Sequence, residues 1–342
     1  MKSVIAVHAG AGYVKPSNEK YYKKLCLRAC RKGLEVINNN GSALEAATTA
    51  TTVLEDSPLT NSGYGSNLTW NGCVECDAGV MDGSTMHFGG IGAVPGIKNP
   101  ITLAKLLCEK QNSLLSFGRI PPCLLVGQGA QEFALANNIV VVKPSELITE
   151  RAKKQFVSNK YNVMNHSLDG LKEKKGHLDT VGCVCIDKLG RIVATSSSGG
   201  IALKQSGRVG QAALIGAGCW AQVKNNVSIA VTTSGCGEHL MQTNLAKEIS
   251  RELFKTECPT VAINKCFDEQ FFQSPLLRNN NEKLAGVLVL YESENYYEIL
   301  SAHSTKSMCV AFASENNKKS FVSRITHPNT PGTCVLVEGN PI

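Results

Sequence analysis

The sequence lacks a hydrophobic run long enough to cross a membrane, since no stretch of its 342 residues approaches the ~20 apolar residues of a transmembrane helix. Its first residues, MKSVIAVHAGAG, hold one lysine and an apolar run that ends before His8, which is too short for a signal-peptide core. We therefore expect an intracellular protein with no membrane partner. The 43% of hydrophobic residues suffice for one large α/β domain or two smaller ones, and no internal repeat is evident.

A second cysteine pair is also missing, because Cys73 and Cys76 form a lone CxxC motif without a partner pair at zinc-finger distance. The 14 cysteines are expected to remain reduced thiols, since disulfides are rare in proteins that are not secreted. Cys183 and Cys185 alternate with apolar residues, which is typical of strand packing. The cysteines therefore predict no metal site.

Acidic residues are scarce in one window, where seven basic residues and two acidic ones lie between Arg151 and Lys175. This window supplies most of the formal charge of +7. Such a cluster is typical of a nuclear-import signal, a nucleic-acid patch or a solvated linker. No aromatic interleaving and no RNA- or DNA-binding motif accompanies it, so we expect no nucleic-acid partner. We interpret residues 151–179 as a mobile basic linker, and its lysines (Lys172, Lys174 and Lys175) as a candidate import signal for a protein found in nucleus and cytoplasm.

Hydrophobic periodicity predicts strands in antiparallel-looking runs, with helices grouped between them. Residues 3–7 predict a strand that runs into a Gly-rich turn at 9–12. The predicted helices are 19–38, 42–55, 101–109, 128–137, 146–160 and 238–253. The other predicted strands are 73–80, 86–94, 181–186, 191–197, 227–233, 285–291, 296–302 and 308–313. This order favours an α+β fold, with helices covering sheets, over a strictly alternating βαβ fold.

Thr180 stands where the basic window meets a buried strand, in the string Asp179-Thr180-Val181-Gly182. A threonine hydroxyl inside a chain has no suitable base nearby, whereas a terminal α-amine, with a pKa of about 7.7–8.0, can take its proton. The β-methyl group restricts χ1 and helps to aim the oxygen. These properties favour cleavage between Asp179 and Thr180. From this string alone, a threonine that merely starts a strand remains an alternative.

Glycine-rich strings follow Thr180 in a fixed order: SSSGGI at 196–201, GRVGQ at 207–211, IGAGC at 215–219 and TSGCGE at 233–238. Three more contain glycine and precede Thr180 (HAGAG at 8–12, NSG at 61–63 and DAGVMDG at 77–83), and the string HSTKSMC lies at 303–309. Together they resemble, over nearly the whole chain, the N-terminal-nucleophile hydrolases of the plant-type (type 2) asparaginase family. The likeness is strongest to the threonine aspartases (taspases) within it.

The resemblance implies a four-layer αββα sandwich, with two sheets face to face and helices outside. It implies a single domain of residues 1–342, cut by autoproteolysis into an N-terminal fragment, 1–179, and a C-terminal fragment, 180–342. The expected assembly is an αβ heterodimer or an (αβ)2 form. Neither a metal nor an organic cofactor is expected.

The resemblance also implies a site built by both fragments. Its residues are the nucleophile Thr180, a neighbouring hydroxyl (Ser198), a receptor for the substrate carboxylate (Arg208), two residues of the oxyanion hole (Ser234 and Gly235), and two lining residues (Asn61 and Gly10). An arginine fork suits a carboxylate, and a glycine N–H reaches a developing oxyanion unobstructed. A surface cation at 208, a turn at 234–235 and a strand-end cap at 198 remain alternatives. Structural roles are expected for His8, His239, Asp77 and Asp82.

Gln211 departs from the family pattern, in which an aspartate three residues after the arginine usually pairs with the free α-ammonium of the substrate. A neutral amide cannot supply that charge, whereas a residue inside a polypeptide has no ammonium to pair. We therefore expect an endopeptidase that cuts protein substrates after aspartate, with Arg208 reading the aspartate. By resemblance, its substrates are nuclear regulators of the trithorax/MLL type and the large TFIIA precursor.

Two alternatives stay open. The first is an isoaspartyl peptidase or L-asparaginase of the same family, which turnover of asparagine or β-aspartyl dipeptides would favour. The second is a non-catalytic nuclear binding protein that uses the basic window, which a salt-dependent nucleic-acid shift without chain cleavage would favour.

Overall fold

The structure, a computed structural model, describes residues 1–165, 179–294 and 296–342. The helices in these ranges are α1 (Glu19–Asn38), α2 (Ala43–Glu55), α3 (Pro100–Glu109), α4 (Gly127–Ala136), α5 (Glu150–Asn165), α6 (Gly237–Thr243), α7 (Leu245–Leu253) and α8 (Pro259–Cys266). The strands are β1 (Val4–Gly12), β2 (Glu75–Asp82), β3 (His87–Pro95), β4 (Leu124–Val126), β5 (Val181–Ile186), β6 (Ile192–Ser198), β7 (Cys219–Lys224), β8 (Val227–Gly235), β9 (Ala285–Ser293), β10 (Tyr296–His303), β11 (Ser307–Ser314), β12 (Lys318–Arg324) and β13 (Leu336–Pro341).

The strands form two sheets. The larger has the order β12-β11-β1-β5-β6-β2-β3-β4, and the smaller has the order β13-β10-β9-β8-β7. Helices α1, α2 and α3 pack on the larger sheet, α7 and α8 pack on the smaller, and β5 and β6 face β8 across the interior. The predicted αββα sandwich is therefore confirmed.

Strand β5 shows how the sequence specifies these layers. Val184 and Ile186 belong to the core between the two sheets, whereas Cys183 and Cys185 belong to the core beneath α1 and α2. Side chains alternate between the faces of a strand, and here both faces are covered, so every residue of β5 is apolar or small. The prediction that these cysteines pack in a strand is confirmed, and both are free thiols.

Local signals fix several helix starts. Ser42 and Glu45 form the capping box at the start of α2, with the Ser42 side chain accepting from the Glu45 amide at 3.2 Å. Pro100 begins α3, a position that needs no N–H donor. Both starts lie within one residue of the predicted bounds.

Two predicted elements differ in the structure. The chain does not turn at residues 9–12, because β1 continues to Gly12 with a register shift between His8 and Ala11. The predicted helix 238–253 is two helices, α6 and α7, because Asn244 between them has a left-handed φ of +51°. Asparagine tolerates that conformation better than most residues.

The predicted linker is partly helical, since α5 runs from Glu150 to Asn165. Its Ala152 is buried, and Arg151 donates hydrogen bonds to the loop after α2. These contacts give α5 an anchor that composition alone does not reveal. Residues 166–178 of the linker, including Lys172, Lys174 and Lys175, lie outside the described residues, so the mobility of this segment stays a prediction.

Within the described ranges, every helix is too short or too polar to traverse a bilayer.

Candidate functional site

Thr180 directly precedes β5, whose first residues are bonded to β1 on one side and β6 on the other. Thr180 is 3% exposed. Its hydroxyl donates to Ser198 Oγ at 3.1 Å and accepts from Gln211 Nε2 at 2.8 Å. The structure therefore brings three of the predicted site residues together around one oxygen.

Ser198 ends β6 and accepts a second hydrogen bond, from the amide of Gly200 at 3.0 Å. The carbonyl of Gly200 in turn accepts from Asn61 Nδ2 at 2.8 Å and from Asn67 Nδ2 at 2.9 Å. Asn61 Oδ1 accepts from the Asn67 amide at 2.8 Å. The loop after β6 is thus held by two asparagines that precede Thr180 in the chain, of which only Asn61 was predicted from sequence.

Gly10 lies against Asp179, the residue before Thr180. A Cβ at Gly10 would be 2.8 Å from both Cα and Oδ1 of Asp179, and its φ of +105° also favours glycine. The neighbouring Ala11 amide donates to Ser234 Oγ at 2.9 Å. This bond ties the end of β8, where Ser234 and Gly235 lie, to the part of β1 that contacts Asp179.

Arg208 is sheltered, with its side chain 15% exposed, and it is paired with Glu238. Glu238 Oε1 accepts from Arg208 Nε at 3.0 Å and from Nη2 at 2.6 Å. A Cβ at Gly237 would lie 2.7 Å from both Arg208 Nη2 and Gln211 Oε1. Gln211 therefore lies close to both Arg208 and Thr180, and Glu238 is a neighbour of these residues that the sequence did not predict.

The pKa of Glu238 reflects this pairing. Partial burial raises the pKa, but the hydrogen bonds and positive charge of Arg208 outweigh burial and hold it below its ordinary value. Glu238 is therefore a carboxylate at neutral pH, and Arg208 has an anionic partner before any ligand arrives.

Asp77 supports the segment that carries Arg208. Its two oxygens accept from the amides of Ala93 (2.8 Å) and Gly210 (2.9 Å), and the residue is fully buried. Burial raises its pKa, although the positive charge of Lys204 and these hydrogen bonds oppose the rise. The predicted backbone-binding role of Asp77 is confirmed. Lys204 is also buried and donates to the carbonyl of Glu75 at 2.7 Å.

A guanidinium clamps the loop that carries Asn61. Arg151 donates to the carbonyls of Leu59 (3.1 Å), Thr60 (3.2 Å) and Gly65 (3.4 Å). One side chain that donates to three carbonyls holds the loop from both ends. Sequence reasoning missed this role because it read Arg151 only as part of a charged window.

A buried carboxyl lies behind the site. Glu55 Oε1 accepts from Ser197 Oγ at 2.6 Å and from the Ile101 amide at 3.0 Å. The Ser197 hydroxyl is also 2.6 Å from that of Ser62, next to Asn61. Burial raises the pKa of Glu55 to about 8, against the opposing effect of these hydrogen bonds, so the carboxyl is mainly protonated at neutral pH.

The two predicted structural histidines are buried. His8 Nε2 lies 3.3 Å from Thr232 Oγ1, and burial lowers the pKa of His8 to about 3. His239 Nδ1 accepts from the Leu284 amide at 3.3 Å. Both have structural partners that the sequence did not reveal. Within the described ranges, no three His, Cys, Asp or Glu side chains are grouped to hold a metal ion.

Comparison with known proteins identifies a family whose sequence model matches this chain. The family model described as asparaginase (Asparaginase_2) matches residues 1–322. An isoaspartyl peptidase/L-asparaginase of Xenopus laevis is 38% identical over 262 residues, which cover 77% of this chain and 79% of the relative. The Homo sapiens protein of the same name is 37% identical over 248 residues (72% and 75%). An isoaspartyl peptidase of Salmonella typhimurium is 35% identical over 257 residues (73% and 78%).

These relatives overturn the expectation of an endopeptidase that cuts after aspartate, because their names are those of isoaspartyl peptidases and asparaginases. The inference from Gln211 was too strong. A neutral amide removes a charge pair, yet its oxygen still accepts an N–H from an ammonium group. The matches do not single out the threonine-aspartase branch, and the nuclear protein substrates expected with that activity lose their basis.

Proposed function

This chain belongs to the asparaginase family of N-terminal-nucleophile hydrolases, and from that premise we propose that it is an isoaspartyl peptidase/L-asparaginase. It would hydrolyse the amide on the β-carboxyl group of an aspartyl unit, either the side-chain amide of asparagine or a β-aspartyl peptide bond. The observation that carries the proposal is the placement of the Thr180 hydroxyl between Ser198 and Gln211, with Gln211 beside a sheltered arginine.

The proposed reaction begins with cleavage between Asp179 and Thr180, since the nitrogen of Thr180 is a non-basic amide while the chain is intact. The freed amine takes the proton of the Thr180 hydroxyl as its oxygen attacks the amide carbonyl. The amine passes this proton to the nitrogen of the substrate amide, the C–N bond breaks, ammonia or an amine leaves, and an ester to Thr180 remains. Water then attacks the ester, releases the aspartyl acid and restores the hydroxyl.

The surrounding residues would divide the other tasks. Ser198 holds the hydroxyl of Thr180 in place. Arg208 binds the α-carboxylate of the substrate, and Gln211 Oε1 accepts one N–H of its α-ammonium. Ser234 and Gly235 would bind the oxyanion, a role carried over from the family resemblance.

The two fragments would stay together after cleavage. In the larger sheet, β5 and β6 of the C-terminal fragment lie between β1 and β2 of the N-terminal fragment. Strand β1 also pairs with β11, so separating the fragments would break three backbone ladders and expose both cores. This supports the proposed αβ heterodimer, and native mass spectrometry of cleaved protein would measure its mass and that of any (αβ)2 form.

Ammonia release from L-asparagine and leucine release from β-aspartyl-leucine test the activity. We expect turnover of both by cleaved protein, and none of α-aspartyl-leucine, whose peptide bond is on the other carboxyl. A protein that is cleaved before Thr180 but hydrolyses neither substrate would contradict the proposal.

We also propose, from sequence alone, that the basic window directs the protein to the nucleus. Replacing Lys172, Lys174 and Lys175 with alanine should shift a fluorescent fusion toward the cytoplasm. Alanine at Lys153, Lys154 and Lys160 is the matched control. Equal nuclear accumulation of wild type and the first variant would contradict it.

A further inference from the structure

The arginine proposed to bind the substrate carboxylate already holds a carboxylate of its own chain. One oxygen of Glu238 accepts from both Nε and Nη2 of Arg208. The two side chains differ in their exposure to solvent: Arg208 is 15% exposed and Glu238 is 48% exposed. The acid therefore covers the arginine from the solvent side.

The guanidinium has little room elsewhere. A Cβ at Gly210 would lie 2.8 Å from Arg208 Nη1, and one at Gly200 would lie 3.1 Å from it. The Nη1 side thus faces backbone too close to admit even a methyl group. The edge formed by Nε and Nη2 is the one that faces Glu238, so a ligand carboxylate that takes this edge must move Glu238 away.

We propose that Glu238 is an internal competitor that occupies the carboxylate receptor of Arg208 until a substrate carboxylate displaces it. The inference rests on the proposed function and adds a specificity-determining residue to it. Glu238 takes no part in bond making or breaking. Glu238 determines how strongly a ligand must bind Arg208 in order to displace the Glu238 carboxylate.

The bonding pattern makes displacement feasible. Glu238 uses a single oxygen for two N–H groups, whereas a free carboxylate can place one oxygen on each and form two parallel hydrogen bonds. A half-exposed ion pair is also weakly held. A ligand without a suitably placed carboxylate forms no ion pair with Arg208 to replace the one lost with Glu238. The Arg208–Glu238 pair therefore also selects against neutral ligands.

The test compares Glu238→Gln with wild type, using Glu248→Gln as a control that removes an equal charge from another surface ion pair, with Arg251. The readouts are KM and kcat for β-aspartyl-leucine and L-asparagine, and the Kd for L-aspartate by calorimetry. In Glu238→Gln we expect KM and Kd to fall by roughly three- to ten-fold, with kcat unchanged. Glu248→Gln should match wild type.

An unchanged KM and Kd in Glu238→Gln would overturn the inference. So would a raised KM with a lowered kcat, which would mean that Glu238 positions Arg208 rather than competing for it. If neither protein binds L-aspartate, the inference also fails, because no ligand then displaces Glu238. Tighter L-aspartate binding by Glu238→Gln without hydrolysis by either protein would support this inference and contradict the proposed function.

Discussion

Gln211 donates a hydrogen bond of 2.8 Å to the hydroxyl of Thr180, so the residue that departs from the family pattern touches the proposed nucleophile itself. Gln211 is buried and also lies close to Arg208, because both would crowd a Cβ at Gly237. One side chain therefore connects the reacting oxygen with the groups proposed to bind the substrate's amine and carboxylate.

Gln211→Asp should improve the hydrolysis of substrates with a free α-amine. A carboxylate pairs with an ammonium more strongly than an amide oxygen does, and Arg208 nearby keeps the new acid ionised. We expect kcat/KM for L-asparagine to rise by about ten-fold, which corresponds to ~1.4 kcal/mol. The control is Gln211→Asn, because asparagine has the size of aspartate without its charge. A gain of equal size in both variants would mean that side-chain length, not charge, matters.

Thr180 variants separate the hydroxyl from the strand. Thr180→Ala and Thr180→Val remove the hydroxyl, and we expect each to run as one uncut chain on a denaturing gel and to hydrolyse nothing. Thr180→Ser keeps the hydroxyl and the amine but loses the methyl group that restricts χ1, so cleavage should be slower and kcat lower by about ten-fold. Hydrolysis by the valine variant at the wild-type rate would contradict nucleophilic catalysis by this residue.

The sequence predicted the sandwich and the bounds of most of its central elements, because β5, β6 and β8 have strong apolar patterns and α2 and α3 have clear starts. It missed β4, β7, β12 and β13, which are the four edge strands of the two sheets. Edge and surface strands bury little apolar area, so they leave a weak pattern in the chain.

The site was predictable only where motifs carried it. Thr180, Ser198 and Gln211 were named from strings of the sequence, and the structure places them in contact. Glu238 was read only as the start of a helix, since its contact with Arg208 spans 30 residues. This pair forms because α6 packs beside the segment between β6 and β7 that carries Arg208, and no local sequence pattern encodes such packing.

Arg151→Met should loosen the loop that carries Asn61, because it removes hydrogen bonds to the carbonyls of Leu59, Thr60 and Gly65. The side chain is partly solvated, so we expect a loss of only about 1 kcal/mol in the free energy of unfolding. Amide hydrogen exchange across residues 59–67 should become faster and kcat should fall. Lys154→Met, an exposed change on the same helix, is the control. Equal exchange rates in the two variants would contradict the clamp.

Glu55 should make stability depend on pH. Its pKa is raised to about 8 in the folded protein from an ordinary value of 4.5, so the folded state holds a proton that the unfolded state has lost between these values. The stabilisation by Glu55 is therefore fully present below about pH 4.5 and is lost as the pH rises to about 8. The resulting loss in the free energy of unfolding is a few kcal/mol at most.

Glu55→Gln mimics the protonated form, since its amide oxygen can still accept from Ser197 and the Ile101 amide. Urea unfolding at pH 5 to 8, in the uncut Thr180→Ala background, should show a smaller decline for Glu55→Gln than for the Glu55 protein. Parallel curves for the two proteins would mean that this carboxyl is ionised in the fold and that its burial does not control the pH dependence.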